Sequence, residues 1–227
     1  MSADAVPSTF QPTERTRVHR HPERGTHDRE VVERTLDEAL FCHVGYVVDG
    51  SPRVLPTIHV RVHDTIYIHG SSASHMLRAI RGGAEVCLVA TILDGLVLAR
   101  SAFNHSMNYR SAVVFGPARE VTDPDEKWMA QRALVEHVCP GRAEQARMPD
   151  ERELAQTSIL AIPLREASAK VRTGPPKDDE EDLSLPVWAG VLPLRTTAGE
   201  PIDAPDLAPG IAPPANVTGY RRPPAGS

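Results

Sequence analysis

Cysteine is scarce in this 227-residue chain, which has three: Cys42, Cys87 and Cys139. Because they are odd in number and widely separated, they fit neither a disulfide framework nor a zinc site. The chain also lacks any apolar run near the ~18 residues of a membrane span, and its N-terminus lacks the apolar core of a signal peptide. We therefore expect reduced cysteines, a cytoplasmic location and no membrane partner.

Motifs of several common enzyme classes are also missing. The sequence has no Walker-type lysine, no Gly-x-Gly-x-x-Gly and no Gly-x-Ser-x-Gly, which argues against P-loop, Rossmann and serine-hydrolase chemistry. Its net charge of −5 argues against a general nucleic-acid surface. His19, His21 and His27 fall in an irregular segment that preorganises no ligands, so we predict no metal site.

Composition divides the chain into three parts. Residues 1–26 are polar and irregular, and residues 199–227 are rich in proline and without periodicity. Such segments bury too little apolar area to offset the entropy lost on ordering. We predict a flexible N-terminal segment, one folded domain over residues 27–198, and a tail that is flexible, draped over the body or laid over a partner subunit.

Short runs of alternating or continuous apolar residues dominate the folded part and are typical of strands. These runs are 42–48, 54–62, 65–68, 86–93, 96–99, 112–115, 158–164 and 187–194. Asp94-Gly95 is a turn signal between two of them. Asp28 and Asp123 each precede a helical pattern, the second of which ends near Cys139. Many short-linked strands and few helices predict a mainly β fold, an antiparallel barrel or sandwich with peripheral helices.

The stretch Thr65–Gly83 has the pattern of a strand, a Gly/Ser turn and a short helix. A helix start leaves backbone N–H groups unpaired and carries partial positive charge. Serine hydroxyls with His69 or His75 beside it would suit a phosphate group. A plain N-cap by Ser72 or Ser74 explains the same residues, and both interpretations stay open.

Six motifs in order resemble the pyridoxamine 5′-phosphate oxidase-like flavoproteins, and more narrowly their nitroimidazole-resistance branch. The motifs are GSPRVLPTIHV, DTIYIHGSSASHMLRAI, EVCLVATILDGLVLARSAF, NYRSAVVFG, SAKVRTGPPKDD and LPVWAG. The resemblance covers about residues 28–195. It implies an antiparallel split β-barrel that forms a homodimer and holds FMN at the subunit interface.

The resemblance also assigns cofactor-binding residues in four segments. A strand along the flavin ring would be Arg53, Val54, Leu55, Pro56 and Thr57. The phosphate turn would be His69, Gly70, Ser71, Ser72, Ser74, His75 and Met76. A third segment would be Asn108, Tyr109, Arg110 and Ser111. Lys170 and Trp188 would reach the flavin from a late segment, which the other subunit could supply.

The phosphate turn departs from the family pattern. Pyridoxamine phosphate oxidases end this turn with Ser-Arg-Lys, whereas this chain has Ser74-His75-Met76. Arg110 is then the best fixed cation for a bidentate phosphate contact, although an ordinary ion pair explains it as well. Trp188 is either a core residue or a stacking residue.

The resemblance implies an FMN-dependent oxidoreductase that passes electrons from a reduced nicotinamide to a small oxidised acceptor. His69, at a strand end beside the flavin, is the candidate catalytic residue; a backbone-bonded histidine is the alternative. A different class of function is a storage or sensor protein without turnover. Split barrels of this kind also accept deazaflavin or haem, and His59 and His63 on one strand face are compatible with haem or with a surface strand.

Overall fold

A computed structural model describes residues 7–222 of the chain as a mainly antiparallel β structure with peripheral helices. Its strands are β1 (Gly25–Thr26), β2 (Phe41–Val48), β3 (Ser51–Val62), β4 (Thr65–Ser71), β5 (Gly82–Leu98), β6 (Ser106–Glu120), β7 (Thr157–Pro163), β8 (Glu166–Arg172) and β9 (Gly190–Pro193). Its helices are α1 (Arg29–Glu38), α2 (His75–Ile80), α3 (Pro124–Val138), α4 (Glu151–Gln156) and α5 (Ala215–Thr218).

Six of the strands close into a ring. The order around it is β6-β7-β4-β3-β2-β5, and β5 pairs back onto β6. All six pairings are antiparallel. Strands β8 and β1 continue from the other edge of β6, and β9 extends β5. This arrangement confirms the predicted mainly β fold and is a split barrel.

Alternation along the strands places one apolar set inside the ring. On β2, for example, Cys42, Val44 and Tyr46 are buried, whereas Phe41, His43 and Val47 on the opposite face are exposed. Side chains of a strand point alternately to its two faces, so one face forms the core and the other stays on the surface. Helices α1 and α2 close the core with Val32, Leu36, Leu77 and Ile80.

Three helices begin at N-cap residues that were predicted as candidates. Asp28 accepts a hydrogen bond from the Val31 N–H, and Ser74 caps α2 through the Leu77 N–H. Asp123 caps α3, whose first residue is Pro124. Each cap satisfies an N–H group that has no partner inside its helix.

One local expectation was wrong, and some elements were not predicted. Asp94-Gly95 is not a turn, because β5 runs unbroken from Gly82 to Leu98 and has only a register shift at this point. Turn-forming residues within a strand mark a bulge when both neighbours stay paired. Strand β8 and helix α4 were not predicted, because their small and charged residues give little apolar periodicity.

None of the helices in residues 7–222 combines the length and the apolar character that are needed to cross a membrane.

Candidate functional site

The first half of β3 offers one free backbone edge. Residues 51–58 pair with β2, but β3 joins β4 only from His59 to Val62. Within the described residues no strand covers the other edge of residues 51–58, and the side chains of Arg53–Pro56 are exposed. A free edge presents N–H and C=O groups to any planar ligand that carries matching donors and acceptors.

The turn between β4 and α2 lies where β3 and β4 separate. Ser71 accepts a hydrogen bond from the Ala73 N–H at 3.2 Å, and Ser74 acts as the helix cap. A Cβ at Gly70 would lie 3.1 Å from Leu77 Cδ1, so glycine permits the close approach of strand and helix. The Met76 side chain is buried in the core, which leaves its backbone alone to face a ligand.

His69 lies at the end of β4, and its ring is half-buried. The Nδ1 atom is buried and has no hydrogen-bond partner. Burial also lowers the pKa of His69 below its usual range, so the imidazole is neutral near pH 7. A neutral histidine with a free ring nitrogen can bind a metal centre or accept a proton.

An apolar cavity of about 230 Å³ adjoins His69. Its lining is formed by Ile58, His69, Gln131, Leu134, Val135, Val138, Cys139 and Arg142. The Arg142 guanidinium donates to Gln145 at 3.3 Å and forms no salt bridge within residues 7–222. The cavity therefore has apolar walls, one imidazole and one cation.

The α3 wall of this cavity was not predicted from the sequence, in which α3 was expected to be a peripheral helix and Cys139 a reduced cysteine. The available signal was the apolar set Leu134, Val135 and Val138 at the helix end. Leu134 is buried, but Val138 remains partly exposed, so the apolar stripe extends past the core.

The third and fourth predicted segments lie side by side, because Ser111 pairs with Lys170 across β6 and β8. Asn108 is buried, accepts a short hydrogen bond from Arg172 and donates to the Gly174 carbonyl at 3.2 Å. The Lys170 ammonium donates to the Arg20 carbonyl at 3.2 Å. These contacts tie β6 and β8 to their neighbouring loops.

Arg110 is held by two carboxylates of its own chain. It donates to Glu38, with one bond of 2.8 Å, and to Asp94 at 2.7 and 2.9 Å. These bonds raise its pKa well above the usual range. The guanidinium lines a separate cavity of about 440 Å³ beside α1. With both carboxylates bound, the Arg110 guanidinium has no free pair of donors for a phosphate.

The predicted segments divide into two groups within one chain. The strand carrying Arg53–Thr57 and the strand carrying Asn108–Ser111 are three steps apart in either direction around the six-strand ring. They therefore lie on opposite sides of the barrel. Trp188 is 67% exposed, on the loop that precedes β9. A single chain does not bring the four predicted segments together.

Comparison with known proteins decides the family. A family model described as pyridoxamine 5′-phosphate oxidase matches residues 28–171. The chain belongs to the pyridoxamine 5′-phosphate oxidase family. Membership of this family confirms the resemblance seen in the six motifs. A search of curated proteins found no match to the chain.

Two solved structures in this comparison are similar over nearly their whole length. The flavocytochrome Anf3 from Azotobacter vinelandii is 38% identical, covers 93% of this chain and 99% of its own, and superposes with a TM-score of 0.86. The FAD and heme binding protein from Mycobacterium smegmatis is 39% identical, with 86% and 96% covered and a TM-score of 0.82.

A third structure supports the fold of the pyridoxamine 5′-phosphate oxidase family alone. It is described as that of a candidate 5-nitroimidazole antibiotic resistance protein from Bacteroides thetaiotaomicron. It is 21% identical, covers 65% of this chain and 86% of its own, and has a TM-score of 0.56.

Proposed function

We propose that this chain is a flavin-dependent oxidoreductase that also binds haem, and that a homodimer forms its cofactor sites. The observation that carries the haem assignment is the unpartnered Nδ1 of His69 beside an apolar cavity. The two solved structures of 38% and 39% identity are named as a flavocytochrome and as an FAD and heme binding protein. A flavin-dependent oxidoreductase was predicted with FMN as its cofactor, and haem was one of the predicted alternative cofactors.

The His69 cavity suits a haem group by its chemistry. Haem iron is held by a neutral histidine nitrogen, and the lowered pKa of His69 keeps its ring neutral. Leu134, Val135 and Val138 offer an apolar wall for a porphyrin face. Arg142, which forms no salt bridge among the described residues, offers a cation for a propionate.

The free edge of β3 and the turn after β4 suit a flavin. Backbone groups of Arg53–Thr57 would bond the ring edge, and the segment His69–Met76 would lie beside the ribityl and phosphate groups. Because Ser74-His75-Met76 supplies no fixed cation, this turn favours FAD over the predicted FMN. An FMN phosphate concentrates its dianionic charge at one point, whereas FAD spreads its binding over a pyrophosphate and an adenine.

A homodimer would join the two groups of predicted residues. One subunit would supply β3 and the turn after β4, and its partner would supply Asn108, Tyr109, Ser111, Lys170 and Trp188. The cavity of about 230 Å³ is also smaller than the roughly 300–1,000 Å³ of typical ligand pockets. A second chain would enlarge it by adding a wall.

A bound flavin would supply two-electron chemistry with a reduced nicotinamide, and a bound haem would supply one-electron chemistry toward a small acceptor. The chain's own contribution is to hold, orient and shield these groups. His69 as a catalytic acid or base has little support, because no described side chain bonds its free nitrogen and orients it. That observation favours, as a second candidate, a cofactor-binding protein without turnover.

The test is the absorption spectrum of the purified protein and of two histidine variants. We expect a flavin band near ~450 nm and a haem band near ~410 nm. His69→Ala should lose the haem band and keep the flavin band. His63→Asn is the matched control, since His63 is exposed in the β3–β4 turn with a positive φ that asparagine tolerates.

Two outcomes would contradict the proposal. A full haem band in His69→Ala would remove His69 as the ligand, and colourless protein that ignores added flavin and haem would refute both cofactors. Bleaching of the flavin band by NADH or NADPH, followed by recovery with an acceptor, would separate an enzyme from a protein without turnover.

A further inference from the structure

The C-terminal tail returns to the body of the protein, where Arg222 contacts two helices. After β9, the Leu194 N–H donates to the Asp94 carbonyl at 3.0 Å. The chain then runs exposed to α5 and reaches Arg222. We call residues 215–222, which carry the returning contacts, the C-terminal strap.

Arg222 binds the C-terminal ends of α1 and α3 together. Its guanidinium donates to the Asp37 carbonyl at 3.0 Å, the Glu38 carbonyl at 2.8 Å and the His137 carbonyl at 2.6 Å. The last carbonyls of a helix have no partner inside the helix and carry partial negative charge. A planar cation with several donors satisfies such groups from two helices at once.

Two other strap residues bind the segment that follows α3. The Tyr220 hydroxyl donates to the Val138 carbonyl at 3.1 Å. The Asn216 amide donates to the Pro140 carbonyl at 3.0 Å and lies 3.7 Å from Cys139 Sγ. The strap therefore contacts each of the residues from 137 to 140.

Those contacts lie directly behind the His69 cavity. Val138 and Cys139, which the strap holds, are lining residues of that cavity. Arg142 follows the αL turn at Gly141, so its position depends on the same segment. Without the strap, the end of α3 would keep its own helical bonds, the contact of His137 Nε2 with the Ala39 carbonyl at 2.9 Å, and the Glu136 contacts to Gly141 and Ala143.

We propose that the C-terminal strap fixes the α3 wall of the His69 cavity, and that Arg222 is a positioning residue for the ligand bound there. The identity of that ligand as haem rests on the proposed function; the mechanical role of the strap does not. Residues 215–222 would thereby control how long the ligand stays bound, although none of them lines the cavity.

Adjacent arginines provide a matched pair of variants. Arg222→Gln removes the contacts to both helices. Arg221→Gln makes the same change in charge but removes a guanidinium whose one hydrogen bond within residues 7–222 goes to the Tyr220 carbonyl. Arg222→Lys keeps the charge and some donors, so it should restore part of the effect. Thermal unfolding and flavin content serve to show that each variant is folded.

The first measurement is amide hydrogen exchange on cofactor-free protein, over residues 134–142. We expect Arg222→Gln to exchange about tenfold faster there, which corresponds to about 1.4 kcal/mol of lost local stability, with β2 and β6 unchanged. Arg221→Gln should match the wild type. Equal amide exchange in the wild type, Arg222→Gln and Arg221→Gln would overturn the proposal that the strap holds the end of α3.

The second measurement is the rate of haem transfer from loaded protein to a competing apoglobin. We expect about tenfold faster loss from Arg222→Gln, partial rescue in Arg222→Lys and no change in flavin affinity. Faster amide exchange in Arg222→Gln with an unchanged rate of haem transfer would overturn the proposal that the strap controls the ligand in the His69 cavity. If the wild type binds no haem, the proposed function fails, and the exchange measurement still decides whether the strap holds α3.

Discussion

The most deeply buried histidine, His59, contributes to stability in a pH-dependent way. It has no exposed surface, its Nε2 atom bonds the Leu36 carbonyl at 2.9 Å, and its Nδ1 atom has no partner. Burial first, and then the nearby His137, lower its pKa to about 4. Burial likewise lowers the pKa of His137 and His69, so all three rings are neutral in the native state near pH 7.

Acid should therefore destabilise the fold below pH 6.5. The unfolded chain binds a proton at His59 with a pKa near 6.5 while the folded chain does not until about pH 4, so the free energy of unfolding rises with pH between these values. From His59 alone, we expect a value roughly 2 kcal/mol lower at pH 5 than at pH 7. Urea unfolding at both pH values measures this.

His59→Gln tests the assignment, since it keeps a donor for the Leu36 carbonyl but does not titrate. Its free energy of unfolding should change less between pH 5 and pH 7 than that of the wild type. A variant that keeps the full wild-type slope would show that other groups are responsible.

The structure gives Arg110 two carboxylate partners that its sequence motif does not indicate. The resemblance made Arg110 the best fixed cation for a phosphate, with an ordinary ion pair as the alternative. The fold brings Glu38 of α1 and Asp94 of the β5 bulge to it, from positions distant in sequence, which favours the ion pair. Nothing in the local motif indicated either carboxylate.

Loss of this cation should affect folding more than flavin affinity. Arg110→Ala leaves Glu38 and Asp94 without their partner, and we expect the free energy of unfolding to fall by about 2 kcal/mol. Chemical denaturation measures this, and flavin titration of the folded variant is the companion measurement. If Arg110→Ala kept the wild-type free energy of unfolding but lost flavin affinity, Arg110 would belong to the cofactor site.

At the scale of elements, strands and caps were predictable where periodicity and turn chemistry agreed. The caps at Asp28 and Asp123 and the strand β4 follow from local sequence. The β5 bulge was not predictable from Asp94-Gly95, because only pairing with β6 and β9 keeps the strand continuous. Strand β8 escaped detection because it is held by its neighbours rather than by its own apolar pattern.

The candidate site was predictable only in part for the same reason. The β3 edge and the turn after β4 lie next to each other in sequence, so local motifs indicated them. The α3 wall reaches the cavity through a long-range helix packing that no motif encodes. The contacts of the strap were even less predictable, because they join Arg222 to helices that end at residues 38 and 138, far away in the sequence.

The end of α3 offers a prediction at this scale. Gly141 has a φ of +80°, which costs a residue with a Cβ about 1 kcal/mol. Gly141→Ala should lower the free energy of unfolding by about that amount and speed exchange at residues 134–142. Gly199→Ala, in the exposed tail with no atom within 4 Å of its Cβ, should have no effect. Equal effects of the two variants would contradict the prediction.

For the whole molecule, the outer face of β2 and β3 favours a second copy of the chain as partner. Phe41 pairs with Ile58 and Gly45 with Val54, so these residues and Val47 share one face. Apart from Gly45, they are all more than one-third exposed. The exposed His43 lies among them on the same face, and a largely apolar exposed face of this kind is typical of an interface.

Val47→Asp should therefore break the dimer. Val47 is 63% exposed, so the charge adds no burial cost within one chain. We expect the wild type to have twice the 24.7 kDa chain mass by light scattering, and the variant to be monomeric with flavin affinity lowered at least about tenfold. Ile202→Asp, in the exposed tail, should remain dimeric. A monomeric wild type that binds flavin fully would refute the shared site.

The most direct test of the two-cofactor proposal is the absorption spectrum and cofactor content of the protein as isolated, or after it has been loaded with flavin and haem. We predict a flavin band, a haem band and about one equivalent of each group per chain, with the haem lost in His69→Ala. A protein that takes up neither group, or one that keeps its haem without His69, would contradict the account.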